Sequence, residues 1–521
     1  MKKTMKQHSF ASRLKSLALV FGIALAFASC ANEEIAQTPN GKDYDANLTT
    51  FSTGDPATRT SMESNGAFYW EAGDKIWVKD DSGAWQQSRN APTEKTASFR
   101  FKVPGEFTKT NTYKVYYPGK NGNKNQVAIA ANQSQAEPNT TAHFGTSGDC
   151  GMADAAWSNA KKGFAFTLDH KAAYLLFLPR TANTILHDCY LTKVEVNSDN
   201  DITSTYTLDP VTGKLTGTGT GKQIIVSTGG SGTYANGFPL TNNATSAATN
   251  GAYVVIKPGT HILKIRYWVK DVATGTEGTI TKTLSSATYD QNKYYNITAN
   301  LDVKNYDGDH YYMWDAQQQY WYGYEWTRHL SGNTGQPTLN NNSSPNYPQS
   351  NSDVSRWYHE GGVSGCFDAT QSCAGLPNVN EMSWYAAKGE PRWDEDELWT
   401  TMGHLYKGGM WFKKKANING YNPNTAVDGT DWRTNGRGNS WSVSQTLPDA
   451  ADAGNYFYLP ALGYYDSGQL INVGDIGYYW SSNTYPGVSD DAYSLTITSG
   501  NVGVDDYFHR NFGFRVEPTF E

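Results

Sequence analysis

The chain is poor in charge, in cysteine and in long apolar runs, and each shortage removes a class of function. Charged residues make up 18% of 521 positions, and 43 Lys and Arg against 50 Asp and Glu leave a diffuse net charge of -7. Nucleic-acid binding needs a concentrated basic face, and no basic stripe is present, so no nucleic-acid partner is expected. The 5 cysteines include no C-x-x-C spacing, which gives no indication of zinc. His359-Glu360 is not followed by a second His at zincin spacing. Gly217 to Lys222 has Thr216 and Gln223 where a phosphate loop needs Gly and Ser or Thr. No metal, cofactor or enzymatic chemistry is therefore expected. The only apolar run of any length, Leu17 to Ala28, is too short to span a bilayer.

Aromatic residues, at 13%, and 50 glycines favour β-rich globular structure over disorder or coiled coil, and 521 residues exceed one ordinary core. The first residues read as an export signal. Lys2, Lys3, Lys6, Arg13 and Lys15 precede the apolar run, and Phe27-Ala28-Ser29-Cys30 resembles a lipobox. Residues 1–29 are thus expected to be a lipoprotein signal peptide, with Cys30 as the lipidated residue and residues 30–50 as a tether. Asn32-Glu33-Glu34 is similar to the surface-export tags of some Gram-negative lipoproteins. The expected location is the outer membrane at the cell surface, held by the lipid and not by a spanning segment.

From Phe51 onward short apolar alternations arrive between Gly, Pro and Asn clusters. Tyr113 to Tyr117, Phe164 to Leu168, Tyr174 to Leu178, Leu191 to Val196, Ile224 to Val226, Tyr253 to Ile256, Ile262 to Val269 and Tyr294 to Leu301 all read as strands. No helix of three turns is evident, so two all-β sandwiches in series are expected, over 51–180 and 181–303. The ordered motifs ATRTSM, FYWEAGDKIWV, YKVYYP, LDHKAAYLLFLP and KYYNIT resemble the fimbrillin family of type V pili. That resemblance implies two transthyretin-like sandwiches, and proteolytic cleavage near Arg59 that removes the first strand and opens a groove for a neighbouring subunit.

Residues 304–521 differ in composition and hold 11 of the 16 Trp. Asn378 with Glu381 three residues later predicts a capped helix ending at Gly389. The spacing of Leu398, Trp399, Met402, Leu405 and Tyr406 predicts a second helix opening at Asp394. With Cys30 lipidated, four cysteines remain for an oxidising compartment. Cys366 and Cys373, close together in GCFDATQSC, are the expected disulfide; Cys150 with Cys189 is the other pairing.

The last stretch, Tyr478 to Pro518, carries an apolar frame of Trp480, Ala492, Leu495, Ile497, Val502, Val504, Phe514 and Val516. Between the frame positions lie Tyr479, Asn483, Tyr485, Asp490, Asp491, Tyr493, Asp505, Asp506, Tyr507, Phe508, His509, Asn511 and Phe512. Rigid aromatic area beside short hydrogen-bonding groups is the composition of recognition loops, so these are the candidate ligand-binding residues, expected on the wet face. LPALGYY, GYYWSS, S-G-N-V and R-N-x-G-F-x-V-x-P, with GLPNVNEMSWYAAKG upstream, resemble the C-type-lectin-like fold of formylglycine-generating enzymes and retroelement-diversified variable proteins.

The resemblance implies an α+β domain whose first and last strands pair, bringing Tyr311 to Trp314 near Phe512 to Val516. It also implies a displayed surface that binds a protein or glycan on another cell, phage or host. The oxygen-activating cysteines of the oxidase branch are missing beyond Cys373, which leaves a fixed or diversified adhesin or receptor as the expectation. A pilus subunit or fimbrial tip, assembling with other pilus subunits, is the alternative; the oxidase is disfavoured.

Overall fold

The computed structural model describes residues 47–53, 61–62, 68–306, 308–325, 344–361, 366–516 and 520–521, without the side chains of Ser61, Met62, Phe68, Asp506 and Tyr507. The signal segment, Cys30 and Arg59 lie outside the described residues. From Leu48 to Glu521 the chain forms one compact unit built from several sheets.

The first is eight-stranded, in the order Trp85–Gln87, Trp77–Lys79, Tyr113–Tyr117, Gly151–Ser158, Gly163–Phe166, Leu48–Thr53 and Arg100–Pro104, with Asp169–His170 off the path. Its core is aromatic. Phe51, Trp70, Phe101, Tyr117 and Phe164 are fully buried, and Trp70 meets Phe101 and Tyr117 edge-on at 4.9 and 5.6 Å. Aromatic rings joined edge to face fill a small sandwich without leaving voids.

Ala173–Arg180 lies antiparallel to Ala252–Ile256 and parallel to Tyr294–Asn300. The pairing therefore changes sheets between His170 and Ala173, ahead of residue 180. Residues 126–128 and 132–135 also cross over to pair with Thr205–Leu208 and Gln223–Thr228. Every strand read from the alternation between 113 and 301 falls on a strand. The helices in that span are single turns such as Phe144–Ser147 and Ala247–Asn250.

A nine-stranded sheet runs from Asn132–Gln135 through Gln223–Thr228, Cys189–Ser198, Gly259–Asp271 and Glu277–Tyr289 into Arg392–Thr401, His404–Lys413 and Tyr456–Pro460, with Phe238–Pro239 off the path. The expected helix at Asp394 is thus a β-hairpin. Met402 (φ 48°) and Gly403 (φ 85°) make the two-residue turn, Thr401 pairing with His404. Two successive positive φ values suit the twist of a tight hairpin. The apolar pattern misled because Trp399 packs in the C-terminal core while Leu398 and Leu405 join the core of the preceding sheets. Burial against two different partners makes a strand look helically periodic.

The helix at Val379–Lys388 forms as read. Asn378 and Glu381 close a reciprocal capping box, and Gly389 receives the last turn. Tyr311–Tyr312 pairs antiparallel with Phe514–Arg515, joining the first and last strands of the C-terminal region as expected. Gly477–Thr484, Asp491–Ile497, Asn501–His509 and Asn439–Ser442 continue that sheet. Among the described residues no helix is long and apolar enough to cross a membrane.

Candidate functional site

The apolar frame of the last stretch is buried throughout: Trp480, Ala492, Leu495, Ile497, Val502, Val504 and Phe514 are at 0% exposure and Val516 at 9%. The Trp480 ring stacks on Phe514 at 4.0 Å, and its indole N–H donates to the Tyr312 carbonyl at 2.9 Å. The polar filler divides. Tyr479 (2%), Asn483 (1%), Asp491 (6%) and Tyr493 (0%) are buried, which corrects the expectation of a wet face.

The reason is that both faces of this sheet are covered. One packs beneath the 379–388 helix with Tyr479, Tyr493, Leu495 and Ile497, and the other packs Trp480, Ala492 and Phe514 against Trp314 and Leu376. Three of these four polar tips have hydrogen-bond partners. The Tyr493 hydroxyl donates to the Trp432 carbonyl at 2.9 Å and the Tyr479 hydroxyl to the Pro460 carbonyl. Asn483 accepts from the Val379 amide at 3.1 Å and donates to Asp368 at 2.6 Å. A satisfied tip removes most of the desolvation cost, so a polar letter in a strand does not by itself mean exposure.

Most of the rest of the predicted set gathers at one end of the sheet, where Asp491 pairs with His509, while Asp505, opposite Ser494, lies in mid-strand. Asp490, His509 and Asn511 are exposed, and Tyr485, Asp505, Phe508 and Phe512 are half-buried. Asp506 and Tyr507 belong to the strand Asn501–His509. Arg510, only 2% exposed, organises this end. Its backbone N–H donates to the Asp490 carbonyl at 2.8 Å, its Nε to the Asp491 carbonyl at 3.2 Å and its Nη1 to the His359 carbonyl at 3.0 Å. The guanidinium lies over the rings of Phe367, Trp314 and Tyr358, at 5.0, 5.4 and 5.8 Å. Desolvation lowers its pKa.

His509 Nδ1 stands 2.8 Å from Asp491 Oδ1. Burial raises the Asp491 pKa, and His509 opposes that shift. The Tyr358 hydroxyl reaches Asp490 at 3.5 Å; burial first, then the Asp490 charge, raises its pKa. Phe508 and Phe512 continue the rim as rings packed on Tyr478 and Tyr464, at 5.3 and 5.4 Å.

Sequence reasoning missed Trp357, Tyr358, His359, Arg510 and Tyr464. The only available signal for the first three was the dense Trp-Tyr-His-Glu run at 357–360. Asp315 explains why that run sits here. Its buried carboxylate accepts from the amides of Thr370, Gln371 and Cys373 at 2.7, 2.8 and 3.1 Å, and stands 3.3 Å from His359 Nδ1.

The expected Cys366–Cys373 bridge is absent, because the two thiols face different neighbours. Cys366 donates to the Thr484 carbonyl at 2.9 Å, whereas Cys373 is buried and accepts from the Asp315 amide at 3.2 Å. Cys150 and Cys189 are also free. Burial pushes the Cys366 thiol up to about 11 and the Cys373 thiol higher, so neither is a ready nucleophile. Among the described residues no three His, Cys, Asp or Glu converge as metal ligands. The arrangement is a rim of exposed polar groups and half-buried rings on a buried apolar frame.

No family model and no curated protein matches the chain. Among solved structures it is similar to a fimbrial protein from Bacteroides ovatus, at 11% identity over 90% of this chain and 99% of that one, with a TM-score of 0.26. It is also similar to a candidate cell adhesion protein from the same species, at 14% identity over 49% of this chain and 93% of the other, with a TM-score of 0.30. A third is the fimbrial anchor protein Mfa2 from Porphyromonas gingivalis, at 11% identity over 46% and 82%, with a TM-score of 0.22.

Proposed function

We propose that the protein is a non-enzymatic surface adhesin or receptor, anchored through Cys30, whose 304–521 region is a lectin-like head carried on two fimbrillin-like sandwiches, 51–180 and 181–303. The observation that carries this reading is the end of the terminal sheet. There, exposed Asp490, His509 and Asn511 and half-buried Phe508 and Phe512 rest on a frame buried on both faces. A recognition surface needs that combination, because a base that does not yield lets the rim keep its geometry and lose little entropy on binding. The ligand class is a protein or glycan on another cell, a phage or a host.

The test is binding of the full chain to arrayed glycans and to intact bacterial, phage and host-cell surfaces. The triple variant Asp490→Ala, His509→Ala, Phe512→Ala should lose the captured ligand with its thermal midpoint preserved. Retained binding would refute the site. Diversification of residues 478–512 is part of the same proposal. Sequencing the gene's 3′ end across one population should find substitutions at adenine positions that spare Trp480, Leu495 and Gly513; an invariant region would end that part.

A second reading, a pilus subunit, is favoured by the position of the first strand. Leu48–Thr53 is inserted between Arg100–Pro104, antiparallel, and Gly163–Phe166, parallel. Phe51 sits 5.0 Å from the Phe164 ring and 5.1 Å from Phe107. Cleavage at Arg59 would sever this strand from the rest, and its departure would open a groove with two unpaired edges and a ring-lined pocket. An arginine-specific protease should then produce an N-terminus at Thr60 and convert monomers to oligomers; cleavage without assembly would refute polymerisation.

A further inference from the structure

The C-terminal region meets the sheets before it through the 392–413 hairpin, whose register against its own partner strand slips between Asp394 and Leu398. The bulge turns Glu397 away from the hairpin and onto Glu277–Tyr289, where Thr279 and Glu397 form a parallel pair. The Glu397 carboxylate accepts from the Thr281 amide at 2.9 Å, the Thr281 hydroxyl at 2.6 Å and the Thr279 hydroxyl at 3.2 Å. Close by, Asp394 takes Arg266 at 2.8 Å and the Trp411 indole N–H at 3.1 Å.

The guanidinium pairs with Asp394 alone and reaches Glu397 only through the Thr279 hydroxyl, to which Arg266 Nη2 donates at 2.9 Å. The other charged and titratable groups around Glu397 are Lys282 on the facing strand, Lys264 beside Arg266, and Tyr458, whose hydroxyl donates to the Glu397 carbonyl oxygen at 3.3 Å. Lys264 is committed to the Pro448 carbonyl and also feels Glu195 and Asp449, and Lys282 also feels Asp302. Asp396 on the bulge is paired with Lys407 at 3.2 Å. A cavity of about 60 Å³, lined by Lys264, Arg266, Thr281, Thr283, Asp394 and Trp411, adjoins the cluster and has room for about two waters. Arg266 Nε, in a side chain 7% exposed, has no protein partner there.

We propose that this joint is a proton-operated latch: it is closed while Glu397 is a neutral acid and loosens when Glu397 becomes a second carboxylate beside Asp394. The proton leaves to water, and the joint then holds two buried carboxylates, of which only Asp394 is paired with Arg266. Leu398 and Leu405, the only apolar side chains of the hairpin in the neighbouring core, are the contacts that give way with it.

Burial, followed by the Asp394 charge, pushes the Glu397 carboxyl up to about 7 from 4.5. The closed joint therefore binds the proton more tightly than the open one. Closure is strongest below about 4.5, weakens as pH rises toward 7 and is level above that. Linkage for one proton sets the limit at roughly tenfold in the opening equilibrium per pH unit.

Hydrogen exchange on the full chain, corrected for intrinsic rates, tests this from pH 5 to 8.5. Protection of the Thr281 amide and of 396–400 should fall steeply between pH 5 and 7 and then level. Protection of 101–103 and 164–166, in the first sheet, should stay flat. Glu397→Gln should hold Thr281 protected throughout. The proposal is overturned if wild-type protection at Thr281 does not change with pH, if the first sheet loses protection in step, or if Glu397→Gln retains the wild-type slope. The wild-type series decides the matter even where the variant does not fold, and it is independent of any ligand, so its failure leaves the adhesin reading standing.

Discussion

Replacing Trp480 with Ala separates the frame of the candidate site from its rim. Trp480 has no exposed surface, its ring stacks on Phe514, and its N–H satisfies the Tyr312 carbonyl on the first strand of the C-terminal region. Truncation removes the ring from a site that cannot collapse, because Trp314, Phe514 and the sheet backbone hold its walls. Large-to-small changes of this kind cost about 3–5 kcal/mol. The abandoned Tyr312 carbonyl adds to the penalty unless water enters.

Since a chain of several sheets need not unfold in one step, the appropriate assay is local. Native-state hydrogen exchange at 478–480 and 494–497 should show the opening free energy reduced by about 3–5 kcal/mol. Asp490→Ala, at an exposed position, should leave the same amides within about 0.5 kcal/mol of wild type. A Trp480→Ala loss below about 1 kcal/mol would refute the reasoning, because a side chain so cheaply removed cannot be the base of a rigid rim.

Other expectations follow from single contacts. Tyr493→Phe removes the hydroxyl bonded to the Trp432 carbonyl and should destabilise the C-terminal region by about 1–3 kcal/mol, not spare it as an exposed tyrosine would; local exchange at 432 and 493 reads this. Gly403→Val places a β-branched side chain at φ 85° and should weaken the 392–413 hairpin by at least about 1 kcal/mol, measured as lost protection at 398–406. Thiol labelling of the denatured, unreduced chain should modify Cys150, Cys189, Cys366 and Cys373 alike; two unlabelled residues would restore a disulfide.

Much of the fold was legible along the chain, for local reasons. The strands between 113 and 301 announced themselves by two-residue alternation, and the helix at Val379–Lys388 by a capping box that needs nothing beyond its own first turn. The 392–413 hairpin was not legible. Its decisive feature is a Met-Gly turn, an uncommon pair for two positive φ values, and its apolar residues serve two cores at once. The rim was half legible. Asp490, His509, Asn511 and Phe512 stood out as polar or aromatic letters, but Arg510 and Tyr358 come from segments about 150 residues apart, and nothing local links them.

The sequence by itself determined, strand by strand, which residues share a face: Tyr493, Leu495 and Ile497 on one, Phe512, Phe514 and Val516 on another. Only the tertiary structure decided what covers each face. It placed Tyr479, Asn483 and Tyr493 inside with their polar tips paired, set the Cys366 and Cys373 thiols against different neighbours, and brought Glu397 onto Thr281 beside Asp394. Periodicity is a property of a strand alone, whereas burial, pairing and protonation are set by atoms that arrive from elsewhere in the chain.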